Sequence, residues 1–424
     1  MRLTIEEQGM LAGDLGPGVQ KAMEIITALG KIYGAEDLVP VASVQVAGVS
    51  YKNLGDAGLA FLDEWAAQGG KVRVPTTLNP AGVDLEQWQS LGFDAEFARK
   101  QNEVIAAFMR MGIAPTCTCT PYLVGTVPHF GEHIAWAESS AISFANSVLG
   151  ARTNREGGPS ALAAAIAGRT ARYGLHLEKK RRAQLLVEVT CPVRSAADFG
   201  ALGYLVGRVA RNRIPFFRGL DLPPFDAQSL EADREGMVVD QARTLDSLKL
   251  LGAAMAASGA VALYHVEGVT PESHLPAIVM SGAENLTIDD LTPGYQSLTT
   301  DDADDRIDLV WIGCPHASLS ELGRVIDLLR ERRVQAALWV TISRVLRQEA
   351  VRRGLVAELE ACGARVVADT CLVVAPVREL GFQRMATPSG KGAYYCPAHS
   401  GLQVKYGSLE ACVEAAVSGC WLQQ

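Results

Sequence analysis

The sequence predicts an α/β protein whose sheets are mixed or largely parallel and flanked by helices. Short apolar runs of strand length alternate with helix-patterned stretches along the whole chain, as successive strand–helix–strand units do. At 424 residues the chain is too long for one ordinary core, so two or three domains are expected. Hydrophobic residues make up 48% and charged residues 20%, an ordinary globular balance.

The chain begins on a helix start, with Thr4 as N-cap and Glu7 three residues on as its capping-box partner. The expected strands follow in order. Leu38 to Val46 is closed by Gly48, Lys71 to Val74 by Pro75, and Gln184 to Thr190 by Cys191-Pro192. The Ala- and Gly-rich run from Leu250 to Val266 is slightly short for a membrane span. It reads as a buried helix followed by a strand at Val261 to Tyr264. Later strands are Ile307 to Ile312, Gln335 to Val340 and Arg365 to Ala368. Between Ser318 and Arg333 lies a helix capped by Ser318 or Ser320, with Leu322, Val325, Ile326 and Leu329 as its stripe. Seams are expected at Leu220 to Glu235 and at Thr299 to Arg306. They divide the chain into regions 1–220, 221–300 and 301–424. The acidic run Asp301, Asp302, Asp304 and Asp305 reads as a solvated loop, since it lacks the Gly and distal Glu of a calcium loop. Neither a repeat nor a glycine-rich phosphate loop is present.

Composition excludes some functions. The formal net charge is −8 and the isoelectric point about 5.5, so no nucleic-acid or anionic-membrane partner is expected. The amino terminus has acids where a signal peptide has an apolar core. Nine cysteines in such a chain point to a reducing, cytoplasmic setting where disulfides are disfavoured. Most read as small buried hydrophobes.

Ligands of open α/β sheets bind beyond the carboxyl ends of strands. Cys314 directly follows Ile312-Gly313, and Cys371 follows the strand ending at Ala368. Cys119 lies in a Thr- and Pro-rich stretch from Pro115 to Tyr122. Cys117 and Cys119 stand only two residues apart, and at most one of them is expected to face a shared site. Spacing alone leaves buried structural thiols as the simpler reading. The turn Glu156 to Ser160 precedes an Ala-rich helix whose first N–H groups could hold an anion, with Arg152 and Arg155 beside it. A plain helix start with surface arginines is the alternative. Glu138, Ser139 and Ser140 read as polar residues in an apolar helix, and Ser389-Gly390-Lys391 as a short flexible turn.

These segments together resemble the large part of aconitase X, a branch of the aconitase superfamily. The resemblance covers nearly the whole chain. It runs through Val74 to Gly82, Thr118 to Tyr122, Phe130 to His133, Trp136 to Ala141, Ala145 to Glu156, Gly313 to His316, Asp369 to Cys371 and Ser389 to Lys391. It implies an aconitase-like core of three domains without the swivelling domain. It also implies an iron–sulfur cluster, 2Fe–2S or 4Fe–4S, held by Cys119, Cys314 and Cys371, with Cys117 as a substitute for Cys119. Gly48, Val49, Ser50, Asn79, Pro80, Glu138, Ser139 and Lys391 would face substrate, and Ser50, Glu138, Ser139 and Lys391 would be catalytic. Arg155 is added from the anion argument. The swivelling domain, with the group that removes the proton, is expected on a separate small subunit.

The implied reaction is elimination of water from a β-hydroxy acid, with the cluster as Lewis acid. The family offers two substrates: cis-3-hydroxy-L-proline, giving Δ1-pyrroline-2-carboxylate, and mevalonate 5-phosphate. The Ala-rich, Arg-over-Lys composition favours hydroxyproline, because Lys and Glu rise in thermophiles. A binding protein on the same scaffold, its cluster lost, is the reading from another class.

Overall fold

A computed structural model describes residues 1–226, 230 and 239–422. The capping box at the amino terminus forms: Thr4 accepts the Glu7 amide, Glu7 accepts the Thr4 amide, and the helix Ile5–Ala12 follows.

The first sheet has three parallel strands, with Val44–Val46 between Thr76–Leu78 and Ala135–Trp136. The single strand expected from Leu38 to Val46 is two. Leu38–Pro40 pairs antiparallel with Arg169–Ala171, and Val41 then donates to Gly168 outside any ladder. Pro40 has no amide to continue the pairing. The strand expected from Lys71 to Val74 does not form. Val72 donates to the Met111 carbonyl and Arg73 to that of Ala165, so pairing begins only after Pro75.

The second sheet is also parallel, in the order His265–Val266, Pro215–Arg218, Ala183–Val189 and Val279–Ile288. The strand expected at Val261 to Tyr264 pairs only from His265, because the Tyr264 amide is taken by Ser147 Oγ. The buried helix before it is present as Val239–Gly259 and packs on Ala196–Ala210. Their contact requires glycine: a Cβ on Gly259 would lie 1.9 Å from the Gly207 carbonyl oxygen.

The third sheet has five parallel strands, in the order Arg365–Ala368, Ala337–Ile342, Leu309–Ile312, Arg384–Thr387 and Gln403–Tyr406. The helix Leu319–Leu329 has Ser318 as N-cap with Glu321 completing the box, and it buries Leu322, Val325 and Leu329. It stops short of Arg333 because Arg330 turns into the left-handed region.

Of the seam expected at Leu220 to Glu235, residues 227–229 and 231–235 lie outside the described residues. In the acidic run, Asp302 and Asp304 both pair with Arg384, at 2.9 and 3.2 Å. All nine cysteines are free. No helix among the described residues is long and apolar enough to cross a membrane.

Candidate active site

Two sheets supply the site from their carboxyl ends. In the first sheet, Val44–Val46 leads to Gly48 and Ser50, Thr76–Leu78 to Asn79 and Pro80, and Ala135–Trp136 to Glu138 and Ser139. In the third sheet, Leu309–Ile312 leads to Cys314, Arg365–Ala368 to Cys371, and Arg384–Thr387 to Lys391. The two edges are stitched together. Ala81 donates to the Asp369 carbonyl at 2.7 Å and Ser50 Oγ to that of Val374 at 2.8 Å. Arg344 of the third region pairs with both Asp369 and Asp84. A crevice between strand ends is the expected place for a ligand in such sheets.

Glu138 is not inside a helix, as the sequence suggested, but caps one. It is the N-cap of Ser139–Ser147 and accepts from the Ser140 amide. That role turns its carboxylate inward, where Lys391 Nζ is hydrogen-bonded to it and Asn79 Nδ2 donates at 2.7 Å. Ser140 Oγ joins at 3.0 Å and Ser139 Oγ at 3.4 Å. Lys391 is likewise no flexible turn: Ser389 caps the helix Gly390–Ser400, and Lys391 lies in its buried first turn. Burial would raise the Glu138 carboxyl, but Lys391 and Asn79 hold it at about 2. Burial would deprotonate Lys391, yet the neighbouring Glu138 charge keeps its ammonium above the ordinary lysine range. The pair is therefore ionised throughout the neutral range.

All three expected thiols interact electrostatically with Lys391. The Cys119 segment is anchored on the first sheet, where Thr118 donates its amide to the Leu78 carbonyl and Gln45 Nε2 donates to the Thr118 carbonyl at 2.9 Å. Cys119 Sγ accepts the His316 amide at 3.1 Å. Burial pushes its thiol up to about 12, and Glu138, Lys391 and Cys371 all act on it. The Cys371 thiol is raised first by its hydrogen bond with Cys314 and then by burial. Gly313 delivers Cys314 to the crevice at φ +101°, and a Cβ there would meet the Thr341 carbonyl at 2.2 Å. Cys117 is buried too, but it faces Ala81, Asp369 and Arg344 instead. The two thiols thus point apart, although residues two apart share a face in a regular extended chain; Cys117 sits at φ +41° and breaks that regularity.

The remaining expected residues divide. Val49 buries its side chain among the first region's core residues, leaving its carbonyl to accept from Gln101 at 2.9 Å. Gly48, at φ +77°, has open space where a Cβ would stand. Arg155 is exposed and makes no hydrogen bond or ion pair among the described residues. It joins Lys391 and Glu138 in acting on the half-buried Tyr395 phenol. The Gly157 amide next to it is taken by Ser160 Oγ at 2.9 Å.

Three consecutive family descriptions match the chain: Aconitase X first domain over residues 1–179, second domain over 183–292 and third domain over 307–418. The chain belongs to the aconitase X family. A solved aconitase X from Thermococcus kodakaraensis, in its holo-form, is 44% identical with a TM-score of 0.86. The match covers 98% of this chain and all of that one. The phosphomevalonate dehydratase large subunit of Methanothermobacter thermautotrophicus is 48% identical over 94% of this chain and 95% of its own length. The cis-3-hydroxy-L-proline dehydratase of Pseudomonas aeruginosa is 36% identical over 99% of this chain but 70% of its own length.

The cluster expected of an aconitase X fits the residues present. Among the described residues no set of three or more His, Cys, Asp or Glu side chains is drawn together tightly enough for a single metal ion. A cluster needs a wider set, because its thiolates bind different irons. Three thiols from three segments, one already accepting a backbone N–H, have that character. Sequence reasoning missed Ser140 and His316, although both stand inside family-like strings. What places them in the site is the bond from Lys391 Nζ to Ser140 Oγ at 3.3 Å and the bonds of His316 to Thr118 and Thr370, which span long stretches of chain and show in no local pattern.

Proposed function

We propose that this chain is the large subunit of a dehydratase acting on mevalonate 5-phosphate, with Cys119, Cys314 and Cys371 as the cluster ligands. The observation that carries the hydro-lyase reading is the ionised Lys391–Glu138 pair buried beside three thiols. The substrate rests on the 48% identity to the phosphomevalonate enzyme's large subunit, against 36% to the hydroxyproline enzyme. This reverses the preference drawn from composition. Lys and Arg usage across a surface reports growth conditions and carries no information about a pocket.

Elimination of water needs stabilisation of the negative charge that grows on the substrate carboxylate. Lys391, held protonated and buried, would supply it, and one preorganised donor of that kind is worth about 3–4 kcal/mol. Asn79 and Ser139 would orient the substrate beside it. Glu138, at about 2, is too weak a base to take the proton α to a carboxylate. Its part is to hold Lys391 and Asn79 in place. We assign the proton-abstracting group to a small subunit, in keeping with the "large subunit" in the relatives' names, and the complex to the cytoplasm. When bound, the iron–sulfur cluster would supply Lewis-acid assistance to the departing hydroxyl.

The test is turnover of both substrates by this chain co-expressed with its small subunit. Dehydration of mevalonate 5-phosphate and not of cis-3-hydroxy-L-proline is expected. The opposite preference would overturn the substrate assignment. No turnover of either by iron-loaded complex would favour a binding protein on this scaffold.

A further inference from the structure

His316 touches all three cysteine-bearing segments. It stands two residues after Cys314 and is fully buried. Its amide donates to Cys119 Sγ at 3.1 Å. Its Nδ1 lies 3.0 Å from Thr118 Oγ1, immediately before Cys119. Its Nε2 lies 2.9 Å from the Thr370 carbonyl, immediately before Cys371. A carbonyl only accepts, so Nε2 carries the hydrogen and Nδ1 accepts from the Thr118 hydroxyl. From behind, the His316 carbonyl accepts from Lys249 Nζ at 3.4 Å. That lysine is itself fixed by Asp246 at 3.0 Å and by Glu321.

We propose that His316 is the positioning residue that sets the three cysteines in one register, holding Cys119 and the Thr370-Cys371 turn toward Cys314. The proposal rests on the reading that these cysteines are the cluster ligands. The segments come from distant parts of the chain, on two different sheets, whose edges meet at the bridge between Ala81 and Thr370. The imidazole adds a direct link between the residues flanking Cys119 and Cys371. Outer partners that orient metal-binding side chains act in this way.

Alkylation of each thiol, followed by peptide mass spectrometry, tests this on the full chain before iron loading. Iron retention after loading is the second readout. His316→Ala should speed alkylation of Cys119 and Cys371 by about tenfold or more, because a freed thiol becomes accessible, while Cys362 and Cys412 stay as in wild type. It should also lose iron faster. His316→Gln, whose amide can still donate to Thr370, should restore much of both. Unchanged rates at Cys119 and Cys371 overturn the proposal, and so does an equal rise at Cys362 and Cys412, which would mean general loosening. If His316→Ala does not fold, Thr118→Val and His316→Gln decide by the same comparison. If wild type takes up no iron, the cluster reading fails while the alkylation rates still judge His316.

Discussion

The Lys391 ammonium lies against the Glu138 carboxylate, joining the first turn of a helix in the third region to the N-cap of a helix in the first. Neither charge is exposed: Glu138 is 9% and Lys391 8% accessible. Removing one partner leaves the other buried and unpaired, which typically costs about 3–5 kcal/mol.

Two variants separate charge from shape. Lys391→Met should lower kcat by about two to three orders of magnitude, the usual effect of losing one preorganised donor. Glu138→Gln keeps the shape and the bond to Lys391 but removes the charge that keeps the lysine protonated. Its loss should therefore be greater at high pH. Steady-state kinetics across pH decide this, and a flat ratio of variant to wild type would refute it.

The cysteines divide by direction, not by burial. Cys119→Ala, Cys314→Ala and Cys371→Ala should each abolish the visible absorbance of the iron-loaded protein. Cys117→Ala, Cys412→Ala and Cys420→Ala should retain it. Cys117 is the sharpest control, since it is as buried as Cys119 and only two residues away. Loss of absorbance in Cys117→Ala would mean that the wrong member of the pair has been assigned.

Glu272 bridges two buried arginines, with Arg152 at 3.2 Å and Arg181 at 2.6 Å. Arg181 also donates to the Asn146 carbonyl at 2.9 Å. Glu272→Ala should destabilise the chain by about 3–5 kcal/mol, because two guanidiniums lose their counter-charge in the core. Urea denaturation measures this. A shift within about 0.5 kcal/mol, the range of ordinary surface changes, would show the arginines are satisfied without it.

Acid should unfold the protein through buried histidines. Burial holds His176 down at about 3 and His265 at about 4, against an ordinary value of 6.5. His176 Nε2 and His265 Nδ1 have no hydrogen-bond partner among the described residues, so neither ring meets an acceptor there on protonation. Above 6.5 both states carry neutral rings and the stability is complete. Below it the unfolded chain binds protons that the folded chain refuses, so stability falls by about 1.4 kcal/mol per pH unit for each ring. Melting temperature should drop steadily from about pH 6.5 toward pH 4, and His265→Gln should flatten the slope. An unchanged slope in the variant would rule His265 out.

The sequence by itself determined the α/β class, the strand Arg365–Ala368, the strands Leu309–Ile312 and Ala183–Val189 to within one or two residues at an end, the capping box at Thr4, Ser318 as one of two candidate caps, and the family. These depend on neighbours within a few positions or on long strings of residues. Local pattern misplaced what tertiary bonds control. Lys71 to Val74 has strand composition, yet its amides are spent on Met111 and Ala165. Glu138 and Lys391 look like a polar intrusion and a loose turn until each is seen capping or opening a buried helix. Only the tertiary structure decided that the carboxyl edges of two sheets meet, that Cys119 turns to Cys371 while Cys117 turns to Asp369, and that His316 spans all three cysteine segments. The physical reason is distance along the chain: Glu138 and Lys391 are 253 residues apart. Such contacts exist only once both sheets have formed and packed.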